Sequence, residues 1–292
     1  MNTIRLLAIG NSLAENPLEF VPPIIRSIAG SKVEIGYATI GGCSLQKHAN
    51  LADLTSRHPA HKTYLFDKGG AAGLWIDGDA VNLQEALVRG HWDFVTINQG
   101  SVHGPYRDTW NPWISQLVVL VRTLAPSSKI LLNMTWAYRD DSVWLIERGW
   151  TSETMFERLR ANYLHFAREL DCGIIPTGEA IQDFRREPGN SFVFPDSLFE
   201  FEASSFPRLP QQDHSLSVGW FWNVNDTQDG VPRLVLDPNH LNDAGKYLGA
   251  CTWAGILLGV DVTKCVWRPD TVDEEMASTL RQIARTACAR YP

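Results

Sequence analysis

Short apolar runs alternate along the chain with longer stretches in which apolar residues recur every three or four positions. The first pattern reads as buried strands and the second as helices with one face on a core. The runs Ile4–Ile9, Val33–Ile40, Phe94–Ile97, Lys129–Met134 and Gly173–Ile175 predict five strands. The helical period predicts helices over Pro17–Ala29, Trp113–Leu124, Ser152–Leu170, Thr177–Arg186 and Asn242–Leu258, with Ser152 and Asn242 as N-caps. Strands separated by helices predict an α/β protein, with a parallel sheet covered on both faces. Two regions break the pattern. Residues 44–80 hold a helix-like piece and a Gly-rich, hairpin-like piece, Tyr64 to Ile76. Residues 187–236 are rich in Pro, Asp, Ser and aromatics and show no long period. Both read as insertions at the edge of a single domain spanning 1–292. Asp273 to Arg290 reads as a helix that packs either on the core or on a second copy, which leaves a homo-oligomer open.

Composition narrows the class. The chain has 292 residues, 44% hydrophobic and 20% charged, a globular balance. Its net charge of −7 and lack of a Lys/Arg cluster argue against nucleic acid as a partner. The five cysteines show no metal-ligand spacing, and free thiols in a reducing compartment are expected. The N-terminus runs straight into a strand without a secretory pattern, and Ala254–Val260 is too short to span a bilayer. The expectation is a cytoplasmic protein without membrane partners. His58 and His61 are interrupted by Pro59 and lack further ligands, so no metal is expected. Gly69, Gly70 and Gly73 lack the context of a phosphate loop, and no cofactor is implied. Of eleven tryptophans, Trp75, Trp110, Trp113, Trp136, Trp220 and Trp222 stand in loop-like contexts, where aromatic faces suit sugar rings.

In open parallel sheets ligands bind at the carboxyl ends of the strands. After the first strand stand Gly10-Asn11-Ser12-Leu13, after the second Gly41-Gly42-Cys43-Ser44, after the third Asn98-Gln99-Gly100-Ser101, and after the fourth Thr135-Trp136. Asp237-Pro238-Asn239-His240 precedes the last core helix. Ser12 is either a helix cap or a nucleophile aimed into a cleft. A three-residue spacing on a turn lets the Asp237 carboxylate reach His240 Nδ1, leaving Nε2 to take a proton from a serine. Trp136 and Tyr138 are candidates to wall a substrate pocket, and His103 to contact substrate from the loop after the third strand.

These blocks resemble the SGNH (GDSL-like) hydrolases. GNSL at 10–13 resembles the GDSL block with Asn11 in place of Asp, Gly42 matches the Gly block, and DPNH at 237–240 matches the DxxH block, all in the family's order. The likeness is greatest to a poorly characterised bacterial branch whose third block reads VTIxQxS rather than GxND. The resemblance implies a flavodoxin-like three-layer α/β/α sandwich with about five parallel strands. It also implies a serine esterase, often acting on acetyl groups of carbohydrates. Ser12, Asp237 and His240 would be catalytic. The oxyanion hole would be built from the N–H groups of Ser12 and Gly42 and one side-chain amide. Aligning Gly100 with the family's glycine places Val102 where that amide belongs, so Gln99, or in second place Asn98, is expected to supply it. A lipase or aryl-esterase-like enzyme stays in view through Phe192, Phe194, Phe199, Phe201 and Phe206 of the late insertion. A rival of another class is a non-catalytic sugar-binding module on the same scaffold.

Overall fold

The computed structural model describes residues 3–65, 80–190, 192, 196, 198–225 and 230–291. In chain order these form β1 (Thr3–Gly10), α1 (Ser12–Leu18), α2 (Val21–Ala29), β2 (Lys32–Thr39), α3 (Leu45–Arg57), β3 (Tyr64–Leu65), β4 (Ala80–Val81) and α4 (Leu83–Arg89). There follow β5 (Phe94–Ile97), α5 (Trp113–Leu124), β6 (Lys129–Asn133), α6 (Val143–Ile146), α7 (Ser152–Glu169), β7 (Gly173–Ile175) and α8 (Thr177–Arg186). The chain ends with β8 (Ser217–Asn223), β9 (Arg233–Leu241), α9 (Asp243–Leu258) and α10 (Glu274–Cys288).

The five strands expected from the sequence form one parallel sheet in the order β2-β1-β5-β6-β7. Counted among themselves they run 2-1-3-4-5, the flavodoxin-like doubly wound order, which puts the ligand edge beside the first strand. Alternate side chains of β1 enter opposite cores. Leu6 and Ala8 meet α1, α2, α8 and α9, while Leu7 and Ile9 meet α3, α4, α5 and α7. Burial on both faces explains why these strands read as continuous apolar runs. The result is the three-layer α/β/α sandwich. Among the helices, α9 is buried nearly all round, between α1, α2, α8 and α10. Through Ala277, Leu280, Ala284 and Ala287, α10 packs on the core, the first of its two expected positions.

The differences from the sequence reading are local. The stretch Pro17–Ala29 is two helices, with Pro17 inside α1 and Pro22-Pro23 in the first turn of α2. In the first turn of α2 the missing N–H groups of Pro22 and Pro23 cost little. Thr151, not Ser152, caps α7 by accepting from Thr154 N, and Ser152 instead donates to Asp140. The helix α4 was not expected, although Asn82 and Glu85 form a capping box at its start. In the first insertion Tyr64–Leu65 pairs with Ala80–Val81, and the rest of the hairpin-like piece lies outside the described residues. The late insertion carries an antiparallel ribbon, β8 with β9. One side of this ribbon is covered by its own segment: Phe201 packs on Trp220, and Phe206 on Trp222.

Candidate active site

The loop that carries Ser12 leaves little room for side chains. A Cβ on Gly10 would come within 2.0 Å of Asn98 Oδ1, so any larger residue at the end of β1 must displace the Asn98 side chain. Asn11 is the N-cap of α1: its Oδ1 accepts from Leu13 N at 3.0 Å. Its Nδ2 donates to Cys43 O at 2.9 Å and to Gln99 O at 3.4 Å, which laces together the loops after β1, β2 and β5. Because Asn11 does the capping, Ser12 is free for other work at the first helical position. His48, fully buried on α3, donates from Nε2 to Gly10 O at 2.9 Å and accepts at Nδ1 from the Tyr64 hydroxyl at 2.8 Å. Burial pushes its pKa down to about 4, so this strut stays neutral.

Asp237 and His240 lie on β9, not on a turn, at a register shift opposite Ser217 and Gly219. The irregularity lets residues three apart meet. Asp237 Oδ1 accepts from the backbone N–H groups of Asn239 (3.2 Å) and His240 (3.0 Å). Its Oδ2 lies 2.8 Å from His240 Nδ1, and His240 Nε2 lies 2.8 Å from Ser12 Oγ, a residue 228 positions away. Partial burial works to raise the Asp237 pKa, but the hydrogen bonds from the His240 ring and backbone outweigh it and the net shift is downward. The His240 pKa is raised, chiefly by its hydrogen bond to Asp237, against burial and with help from the charges of Asp237 and Glu15. The carboxylate therefore holds a proton on Nδ1 and leaves Nε2 facing the serine.

Three further bonds fix the residues around the imidazole. Trp136 Nε1 donates to Asn239 O at 2.7 Å, Arg139 N donates to Pro238 O at 3.0 Å, and Leu241 N donates to Asn16 Oδ1 at 2.8 Å. Asn16 belongs to α1, so the helix bearing Ser12 is tied directly to the strand bearing His240. Arg139 is itself held in a buried two-point pair with Asp141, at 2.7 and 2.6 Å. Trp220 of β8 donates to the same Asp141 at 3.1 Å.

The expected third oxyanion donor needs correction. Gln99 is fully buried; its Nε2 donates to Thr109 O (3.0 Å) and Thr109 Oγ1 (3.3 Å), while its Oε1 accepts from Leu45 N and Gly100 N. Asn98 Nδ2 donates to Asn11 Oδ1 (3.1 Å) and Gln99 O (3.2 Å). Both amides brace loops and have no hydrogen left for a ligand. By contrast, none of the described hydrogen bonds uses the N–H of Ser12 or Gly42, and Gly42 is exposed in the left-handed region at φ +63°. The expected pocket walls also move inward. Trp136 is buried behind Asn239, and Tyr138 is buried with its hydroxyl on Ser101 Oγ at 2.7 Å. His103 is half-buried beside Gly100. Trp110 is core, Trp220 and Trp222 are half-buried, and Trp75 lies outside the described residues. Cys43 is buried and its thiol pKa is pushed up to about 11 by burial, as suits a small filler beside Gly42. A cavity of about 820 Å³ opens at the opposite edge of the sheet around Lys129, Gly173 and Leu257 and touches none of Ser12, Asp237 or His240.

Residues 5–188 match the family model described as a domain of unknown function, DUF4886. The chain belongs to the DUF4886 family. No curated protein matches this DUF4886 chain. Its fold matches the crystal structure of a DUF4886 family protein from Bacteroides uniformis ATCC 8492, at 22% identity and a TM-score of 0.72, over 99% of this chain and 95% of that one. A putative SGNH hydrolase from Slackia heliotrinireducens is similar at 18% identity and a TM-score of 0.49, over 87% and 98% of the two chains. Axe2, an acetylxylan esterase from Geobacillus stearothermophilus, is similar at 13% identity and a TM-score of 0.46, over 89% and 95%. No helix among the described residues is long and apolar enough to cross a membrane.

Proposed function

We propose that this chain is a serine hydrolase of the SGNH type that cleaves carboxylic esters through an acyl-enzyme. The observation that carries the reading is the unbroken hydrogen-bonded line from Ser12 Oγ through His240 to Asp237 at the carboxyl edge of the sheet. His240 Nε2 takes the proton of Ser12 Oγ as the oxygen attacks the ester carbonyl. The N–H groups of Ser12, at the positive end of α1, and of Gly42 meet the developing oxyanion. His240 returns the proton to the leaving alcohol, the C–O bond breaks, and water repeats the sequence on the acyl-enzyme. Asp237 orients the imidazole and stabilises its charged form.

For the substrate we propose small acyl esters, with O-acetyl groups on a carbohydrate first. Trp220 and Trp222 are only half-buried and stand on β8, the strand paired with the one that carries Asp237 and His240. Phe199 and Phe201 pack on each other, and Phe201 also packs on Trp220, which weighs against a broad apolar lid for long-chain esters. Phe194 lies outside the described residues. A non-catalytic sugar-binding module has no use for the Ser12–His240–Asp237 line. The test is turnover of p-nitrophenyl esters of rising chain length beside acetylated xylan, with fluorophosphonate labelling of Ser12. Wild type is expected to hydrolyse acetyl esters and to be labelled. Ser12→Ala should do neither while melting as wild type does, and full turnover by that variant refutes the assignment.

A further inference from the structure

With both amides after β5 committed elsewhere, the hole around the oxyanion lacks a side-chain donor. We infer that the Ser101 hydroxyl is that third donor and that Tyr138 aims it. The inference rests on the serine-hydrolase reading above and names a residue that reading does not use.

Four observations carry it. First, β5 lies next to β1, with Ile97 paired to Ile9. Ser12 and Ser101 therefore leave the same edge of neighbouring strands, three and four residues further on. Second, the loop holding Ser101 lies against the Gly42 turn: a Cβ on Gly100 would stand 3.1 Å from Cys43 O. Third, Tyr138 OH donates to Ser101 Oγ at 2.7 Å. The phenol has one hydrogen and gives it to Ser101, so the serine is an acceptor in that bond. Its own hydrogen meets no acceptor among the described residues. Fourth, Ser101 is partly exposed, whereas Asn98 and Gln99 are buried.

The direction of the bond matters chemically. A hydroxyl that already accepts a hydrogen bond is a stronger donor through its own hydrogen. Burial and the nearby Asp237 carboxylate raise the Tyr138 pKa, which keeps the phenol protonated. Tyr138 is thus a positioning residue, and Ser101 the group that touches the substrate oxygen. The VTIxQxS block then has a physical division of labour: Gln99 braces the loop, and Ser101 replaces the asparagine of the usual family pattern.

The experiment compares full-length wild type, Ser101→Ala, Ser101→Thr and Tyr138→Phe. It reads kcat and KM for p-nitrophenyl acetate, the pH profile, the melting temperature and the rate of fluorophosphonate labelling. Ser101→Ala is expected to lower kcat on the order of 10²-fold, the usual cost of one oxyanion donor. KM, the acid limb set by His240, and the melting temperature should stay in place, and labelling should slow in parallel. Ser101→Thr, which keeps a hydroxyl, should recover most of the loss. Tyr138→Phe should lower kcat less than Ser101→Ala, because the donor remains but is no longer aimed. Wild-type kcat in Ser101→Ala, beside an active wild type, overturns the role of Ser101 and leaves the hydrolase standing. A loss explained by a lower melting temperature or a higher KM overturns it also. Wild type that neither turns over esters nor takes the label brings down both.

Discussion

Besides Ser12 itself, the Asn16 side chain ties α1 to the strand carrying the imidazole, and replacing it with Ala isolates what that tie contributes. Its Oδ1 accepts from Leu241 N at 2.8 Å, and Leu241 is 1% exposed. Removing the acceptor strands a buried N–H, which costs about 1–3 kcal/mol. For a chain of this size that corresponds to a drop of roughly 2–6 °C in melting temperature. The kinetic effect is larger than the bond. Leu241 is the neighbour of His240, whose Nε2 must stay at 2.8 Å from Ser12 Oγ. A displacement of about 1 Å between reacting groups costs on the order of 10²-fold in rate. Steady-state hydrolysis of p-nitrophenyl acetate, with thermal melting of the same sample, gives both numbers. Asn16→Asp keeps an acceptor at this position and adds a negative charge beside the imidazole. It should recover stability and move the acid limb to higher pH. Unchanged kcat and unchanged melting in Asn16→Ala would refute the argument that this bond sets the serine-to-imidazole distance.

Three further outcomes follow from the same geometry. The His240 pKa is raised above 6.5 and its neutral form is the base, so kcat/KM should fall as the pH drops through a value above 6.5. Asp237→Asn removes the bond that causes the shift; the limb should move to lower pH and kcat should fall on the order of 10⁴-fold, both read from one pH–rate series. Gly10→Ala would place a methyl 2.0 Å from Asn98 Oδ1 and force the loop apart. A destabilisation of about 1–3 kcal/mol is expected in chemical denaturation, and wild-type stability would show that the loops yield freely.

The strands were legible because both faces of the sheet are buried: Leu6, Leu7, Val95, Leu132 and Ile175 leave the polar surroundings no alternation to blur them. The long helices were legible for the complementary reason, a single apolar face at the helical period. Ser12, Asp237 and His240 could be singled out because their chemistry is local, a small-residue elbow and an acid three residues before a base. What stayed hidden depends on partners far away in sequence. Whether Gln99 donates into the site or into its own loop is decided by Thr109, ten residues on. That Trp136 braces β9 instead of walling a pocket is decided by Asn239, 103 positions later. β9 itself was missed because Pro238 and a register shift interrupt the alternation that marks a strand. The short helix α4 did have a readable signal, Asn82 with Glu85 three residues on.

The late insertion divides the chain between Ser12 and the Asp237–His240 pair. Residues 5–188 hold the elbow at Ser12, the Gly42 turn and Ser101, while Asp237 and His240 arrive on a ribbon beyond. A single nick between positions 198 and 212 would leave two pieces, each with an incomplete relay. The extensive burial of α9 against α1, α2 and α8 is the surface on which those pieces would reassociate. The architecture thus lends itself to a split reporter, in which the ester turnover proposed above would register that two fragments have met.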